Sequence, residues 1–278
     1  MPRAVRVGAA AALLASPAVL AFFSGGFFGE PRLFAGVAAW VIVAAVAWAA
    51  PAPLPRGAPA RFAVAGLAGL AVWTAVSIAW APLKDPALAD AERVALYAAA
   101  LIGGVAVLRG EVRRWVEPAL AGGIAVVCLY ALATRLLPGI APSEPSFNAG
   151  ARLDRPLTYW NAVGAFAGMG TILAARVAAD LTRPAWMRAA AAALVPSAGL
   201  VVYLTFSRGS LGALGVGGIV LVLLLRRERR AMTAIAAVVL TGLLAVVVAS
   251  GYPAVDGLLG DREQQGAVVA LWLVAVSA

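Results

Sequence analysis

"AAAAALVPSAGLVVYLTFSRGSLGALGVGGIVLVLLL", residues 189–225, is a run of 37 positions in which Arg208 is the single charged residue. As one helix it would be about 55 Å long at 1.5 Å per residue. The hydrocarbon core of a bilayer is about 30 Å thick. The run must therefore fold back on itself as a hairpin of two spans. "SRGS", residues 207–210, is the natural bend. Gly209 permits unusual backbone angles, and Ser207 or Ser210 can cap the helix that follows. An arginine in hydrocarbon is costly and tends to be functional, whereas one at a hairpin tip can reach the interface and simply mark the turn.

The rest of the chain reads in the same way. Hydrophobic residues make up 63% of it and the mean hydropathy is +0.93, well above a soluble domain. Ten apolar blocks stand out, at about 5–23, 33–50, 62–82, 91–108, 116–137, 159–179, 187–206, 209–225, 231–250 and 266–278. The expected fold class is all-α, a polytopic transmembrane helical bundle of about ten spans with the last one incomplete. A single integral membrane domain is expected over residues 1–278, with no soluble domain and no clear internal repeat. Frequent Ala and Gly suit closely packed membrane helices.

The net charge of +9 does not point to nucleic acid, because the basic residues sit in short loops. Alternate loops divide the 22 Lys and Arg unevenly. One set holds 14, around Arg3, Arg56, Arg61, Arg113, Arg183 and Arg229; the other holds eight, with Arg152, Arg155 and Arg208 among them, and most of the acids. The richer set is expected on the cytoplasmic side. The N-terminus is then inside and Arg208 outside. The first block, with Arg3 and Arg6 ahead of it, also has features of a signal peptide. Its removal would leave the later spans oriented as before.

Titratable chemistry is sparse. There is no histidine, so the commonest general base and metal ligand is missing. The lone Cys128 makes neither a disulfide framework nor a metal site and reads as a small packed residue. No cofactor and no metal are expected. What remains is a second polar stretch, "NAGARLDRPLTYWNAVGAF", residues 148–166. Pro156 interrupts the chain, Thr158 is the expected N-cap of the next helix, and Tyr159 and Trp160 suit the interface belt. Asn161 falls in the first turn, where a buried amide needs a partner. In the expected topology the spans entered at Asn161 and at Arg208 both turn their N-termini outward. Free N–H groups with an arginine beside each, Arg152 and Arg208, make an anion site. A guanidinium binds phosphate through paired donors. An anion reached from within the outer leaflet points to a lipid-linked phosphate or pyrophosphate.

At these residues the chain resembles the O-antigen ligase and O-antigen polymerase family of bacterial membrane glycosyltransferases. "RLDRPLTYWN" carries Arg152 and, nine residues on, Asn161; "TFSRGSLGAL" carries Ser207, Arg208 and Gly209. The resemblance covers roughly residues 115–250. It implies a glycan on an undecaprenyl pyrophosphate carrier, transferred without a metal to an acceptor hydroxyl at the outer face of the membrane. It also implies that Arg152 and Arg208 hold the pyrophosphate, with Asn161 beside them and Ser207, Gly209 and Thr158 in support. Lipid-linked oligosaccharide or polysaccharide and membrane lipid are then the partners. The family's general base is a histidine in a large outer loop, and this chain has neither. The catalytic residue is therefore unassigned. Either the chain is the N-terminal part of a longer protein or it has lost the base, and the incomplete tenth block favours the first. Asp154 and Asp256 read as solvated loop acids rather than substitute bases. Two other classes fit the same residues. One is a transporter or flippase of lipid-linked glycan, for which Arg135 at the outer end of the fifth block would line a polar path. The other is a carrier-lipid-binding membrane protein without chemistry.

Overall fold

The computed structural model describes residues 2–49 and 57–277. Arg56, part of the arginine-rich loop set, lies outside the described residues, as do Ala50 and Ala278 at the ends of two apolar blocks. Every described regular element is helical. The long helices are α1 (Arg3–Ala21), α2 (Gly29–Ala49), α3 (Ala58–Ser77), α4 (Lys84–Val107), α5 (Val116–Leu136), α6 (Trp160–Ala179), α7 (Ala185–Leu204), α8 (Arg208–Leu225) and α9 (Arg229–Ser250). A single turn, α10 (Pro253–Asp256), precedes α11 (Arg262–Ser277).

Each of the ten apolar blocks coincides with one helix. Among the described residues, eight helices are long and apolar enough to cross a membrane, and the protein is a multi-pass membrane protein. The other two, α4 and α11, fall short for different reasons. The N-terminal half of α4 carries Lys84, Asp85, Asp90, Glu92 and Arg93, too much charge for a lipid-facing span. The last helix, α11, has 16 residues, below the roughly 20 that span hydrocarbon.

The chain divides into two compact units, Met1–Val116 and Glu117–Ala278. In the first, α4 packs against α1, α2 and α3, and its core includes Ala10, Val46 and Val107. No residue of α3 is buried, and Trp48 and Phe62 are almost fully exposed. Outward apolar side chains of this kind are what lipid solvates. The buried Arg32 of α2 is fully engaged: Nε and Nη2 donate to Glu92 Oε2 at 3.1 and 3.0 Å, and Nη1 donates to the Phe27 carbonyl at 2.8 Å. Burying a guanidinium is tolerable only with such pairing.

The second unit is centred on α7. Leu200, Val201, Val202 and Leu204 are wholly buried, and α6 and α9 pack against this helix. Glycines set the spacing of α6. A Cβ on Gly164 would lie 2.6 Å from Ser210 Oγ and 2.7 Å from Thr205 Oγ1, and one on Gly170 would overlap Ile124 of α5. One end of the unit is tied by charge, since Arg183 binds Glu117 at 3.2 Å and Asp180 at 3.1 Å, and Arg176 reaches Asp180 at 3.6 Å. The α8–α9 turn adds Arg226, Arg227, Arg229 and Arg230. The opposite end holds the residue 137–159 loop, the α7–α8 turn and α10.

Candidate functional site

That opposite end is ordered by backbone contacts. The Leu153 N–H donates to the Leu204 carbonyl at 2.9 Å, which fastens the loop before α6 to the end of α7. Ala149, Leu153 and Leu157 are buried beneath the loop. Asp154 is buried too, at 2% exposure, and its Oδ2 accepts the Ser146 N–H at 2.9 Å. Asp154 is therefore a structural acid, not a solvated one, because it closes the loop from within. Asp256 is half-buried and accepts the Tyr203 hydroxyl at 3.0 Å; it too is engaged rather than free.

The N-terminus of α6 differs from the expected one in its cap. The cap residue is Tyr159, with no side-chain cap bond. Thr158 adopts a left-handed backbone, φ 62°, and its hydroxyl turns back to the Leu157 carbonyl at 2.6 Å. An N-cap needs extended backbone so that its oxygen faces the next amides, and Thr158 points elsewhere. The Asn161 amide finds its partner locally, donating to the Tyr159 hydroxyl at 2.7 Å. The Arg152 guanidinium lies over the Trp160 ring, 4.8 Å from its centroid. A contact of this kind contributes about 0.5–1 kcal/mol at an exposed site. It keeps the Arg152 charge at the α6 N-terminus.

The α7–α8 bend lies a little earlier than expected. Phe206, not Gly209, takes the left-handed conformation, φ 50°. The Thr205 hydroxyl holds the turn by donating to the Val202 carbonyl at 2.7 Å, so glycine is not needed there. Gly209 sits inside the first turn of α8, with open space where a Cβ would be. Ser207 caps the helix as expected: its Oγ accepts the Ser210 N–H at 3.2 Å. Arg208 is the first residue of α8 and is exposed.

The two polar stretches meet. Ser210 Oγ donates to the Asn161 carbonyl at 3.3 Å, and Gly164 allows the contact. The first turns of α6 and α8 are thus side by side, with Arg152 next to one and Arg208 in the other. Arg152 lines a small cavity with Arg135, Arg155 and Arg262, and Arg208 is not in its wall. The part played by Arg262 was not visible in the sequence, since α11 reaches α5 only through the fold. Arg135 did signal itself, as a charge inside an apolar block. No protein-family model, curated protein or solved structure matches the chain.

Proposed function

We propose that the second unit binds the phosphate end of a lipid-linked glycan in the manner of an O-antigen ligase or polymerase, with undecaprenyl pyrophosphate as the carrier. In this reading the α6 and α8 N-termini face the outside of a bacterial cytoplasmic membrane and the chain's N-terminus is cytoplasmic. With α4, which packs against α1, α2 and α3, counted as a crossing shielded by those helices, the imbalance of 14 against eight basic residues between alternate loops supports that orientation. The carrying observation is the Ser210–Asn161 bond. It joins the two stretches on which the resemblance rests and leaves two helix N-termini adjacent. Aligned N–H groups and adjacent guanidiniums stabilise negative charge developing on a departing pyrophosphate. Arg152 and Arg208 carry that role, with Asn161 keeping the α6 turn in place.

One observation favours a second reading. The chain has no histidine, and Asp154 and Asp256 are engaged in structural bonds. A carrier-lipid-binding protein without transfer chemistry needs only the arginines and the helix ends.

The test separates binding from transfer. Undecaprenyl pyrophosphate binding to the purified protein should weaken about tenfold to a hundredfold in Arg152→Ala and in Arg208→Ala, the range for a charge-assisted bond. Arg208→Lys should recover part of the loss. Unchanged affinity in both alanine variants would overturn the proposal. Release of carrier pyrophosphate from a lipid-linked glycan and an acceptor then decides between the readings. The protein alone is expected to release none, and saturable turnover would show that another residue serves as the base.

A further inference from the structure

The same end of the second unit holds a pair of arginines that belong to neither polar stretch. Arg135 lies in the last turn of α5, and Arg262 is the first residue of α11. Backbone contact brings them together. A Cβ on Gly266 would overlap the Leu136 carbonyl oxygen, so glycine lets the first turn of α11 press against the end of α5. Both guanidiniums then line one cavity of about 40 Å³, with Arg152, Arg155 and Asp154 in the same wall.

Arg135 is 4% exposed. Its Nη2 donates to the Ala151 carbonyl. Its Nη1 is buried without a partner, and so is Nε of Arg262. The great majority of buried polar atoms are paired, so two orphaned donors in one small cavity call for an acceptor. The charges agree. Arg262 repels Arg135, and Asp154 and Asp256 attract it. Yet Asp154 already accepts the Ser146 amide, and Asp256 the Tyr203 hydroxyl. Four arginines and one aspartate are among the residues that line the cavity, so the balance of charge around it is positive. A water would accept a bond but bring no charge. By the same measure one water needs about 10–15 Å³, so the cavity has room for one compact oxyanion. Oxygens on a tetrahedral centre match the donor spacing of guanidinium.

We propose that this cavity binds a single phosphoryl group, with Arg135 Nη1 and Arg262 Nε as its principal donors. The site goes beyond the carrier reading, because neither donor lies in the two stretches described above and no glycan is required. The phosphoryl group has two sources, free phosphate or the headgroup of a phosphomonoester lipid.

The full chain in uncharged detergent tests this by calorimetry, once with inorganic phosphate and once with short-chain phosphatidic acid. Saturable binding of one equivalent of either ligand is expected. Phosphate binding identifies the free ion as a ligand; binding of phosphatidic acid alone identifies the headgroup. Arg262→Gln removes a donor with no internal partner. It should leave the melting temperature in place and weaken binding about tenfold to a hundredfold. Arg262→Lys keeps the charge without the fork and should recover part. Absence of saturable binding by both ligands overturns the site, and so does an affinity unchanged by Arg262→Gln. Neither ligand carries a glycan or a polyprenyl chain. Failure here leaves the carrier proposal standing, and failure of carrier binding leaves this site standing.

Discussion

The Ser210 hydroxyl oxygen lies 3.3 Å from the Asn161 carbonyl and 2.9 Å from the Ser207 hydroxyl, so one side chain ties the cap of α8 to the first turn of α6. Ser207→Ala removes the cap and should cost about 1 kcal/mol. Ser210→Ala removes the link and should cost about 0.5–1.5 kcal/mol. Because the hydroxyls share one network, the double substitution should cost less than the sum. Denaturant unfolding in detergent measures all three, and strict additivity would mean that the two hydroxyls act separately.

Two glycines at this end should respond in opposite ways. Gly164→Ala places a methyl within 2.7 Å of two hydroxyl oxygens, and overpacking of this kind costs about 1–3 kcal/mol. Gly209→Ala meets nothing within 4 Å and replaces a helical glycine, so it should stabilise by up to about 1 kcal/mol. Thermal melting of the two variants side by side is the check. A destabilised Gly209→Ala would show that this position is held for another reason.

Orientation is open to chemical labelling. Phe147 is fully exposed in the loop before α6, and Glu228 is exposed in the α8–α9 turn. Cys128 is buried and should give little background. A membrane-impermeant maleimide added to intact cells should modify Phe147→Cys and spare Glu228→Cys. The opposite pattern would reverse every loop assignment.

The arginine-rich end of the second unit should show a signature in acid. Burial pushes the Asp180 carboxyl up, but the Thr182 hydroxyl and amide, then Arg183 and Arg176, more than offset it, and the group sits below its ordinary value. A carboxylate held low in the folded state contributes stability above its unfolded value of about 3.9. That stability is lost as pH falls through the lower, folded value. Asp180→Asn should therefore lower the melting temperature at neutral pH and flatten its fall below pH of about 4. A fall in acid as steep in Asp180→Asn as in the parent would remove Asp180 from the account.

The helices were legible because bilayer thickness and hydropathy together fix where a span can begin and end. The Ser207 cap was legible because a serine before an apolar run has one economical use. Thr158 looked equally good and is not a cap, since its left-handed backbone is imposed by the loop folded over Ala149 and Leu153. The bend at Phe206 escaped for a related reason: a threonine hydroxyl fixes a turn that composition would assign to glycine. Asp154 reads as a loop acid in the sequence, and Arg262 gives no signal at all. The burial of Asp154 and the half-burial of Arg262 go with the Leu153–Leu204 bond and the contact at Gly266, which join segments far apart in sequence and leave no local pattern.

The Arg32–Glu92 pair in the first unit also bears on how the protein is made. Its partners are 60 residues apart, and ribosomes add about 5–20 residues per second. Arg32 therefore waits roughly 3–12 s for its carboxylate. Until α4 is made, the Phe27 carbonyl is the partner that the neighbouring backbone offers the guanidinium, and the carboxylate comes last. Assembly of this unit is thus ordered in time: the Arg32 contact can be completed only after α4. A nascent chain stopped short of Glu92 would present an unfinished helix to the membrane's quality-control machinery.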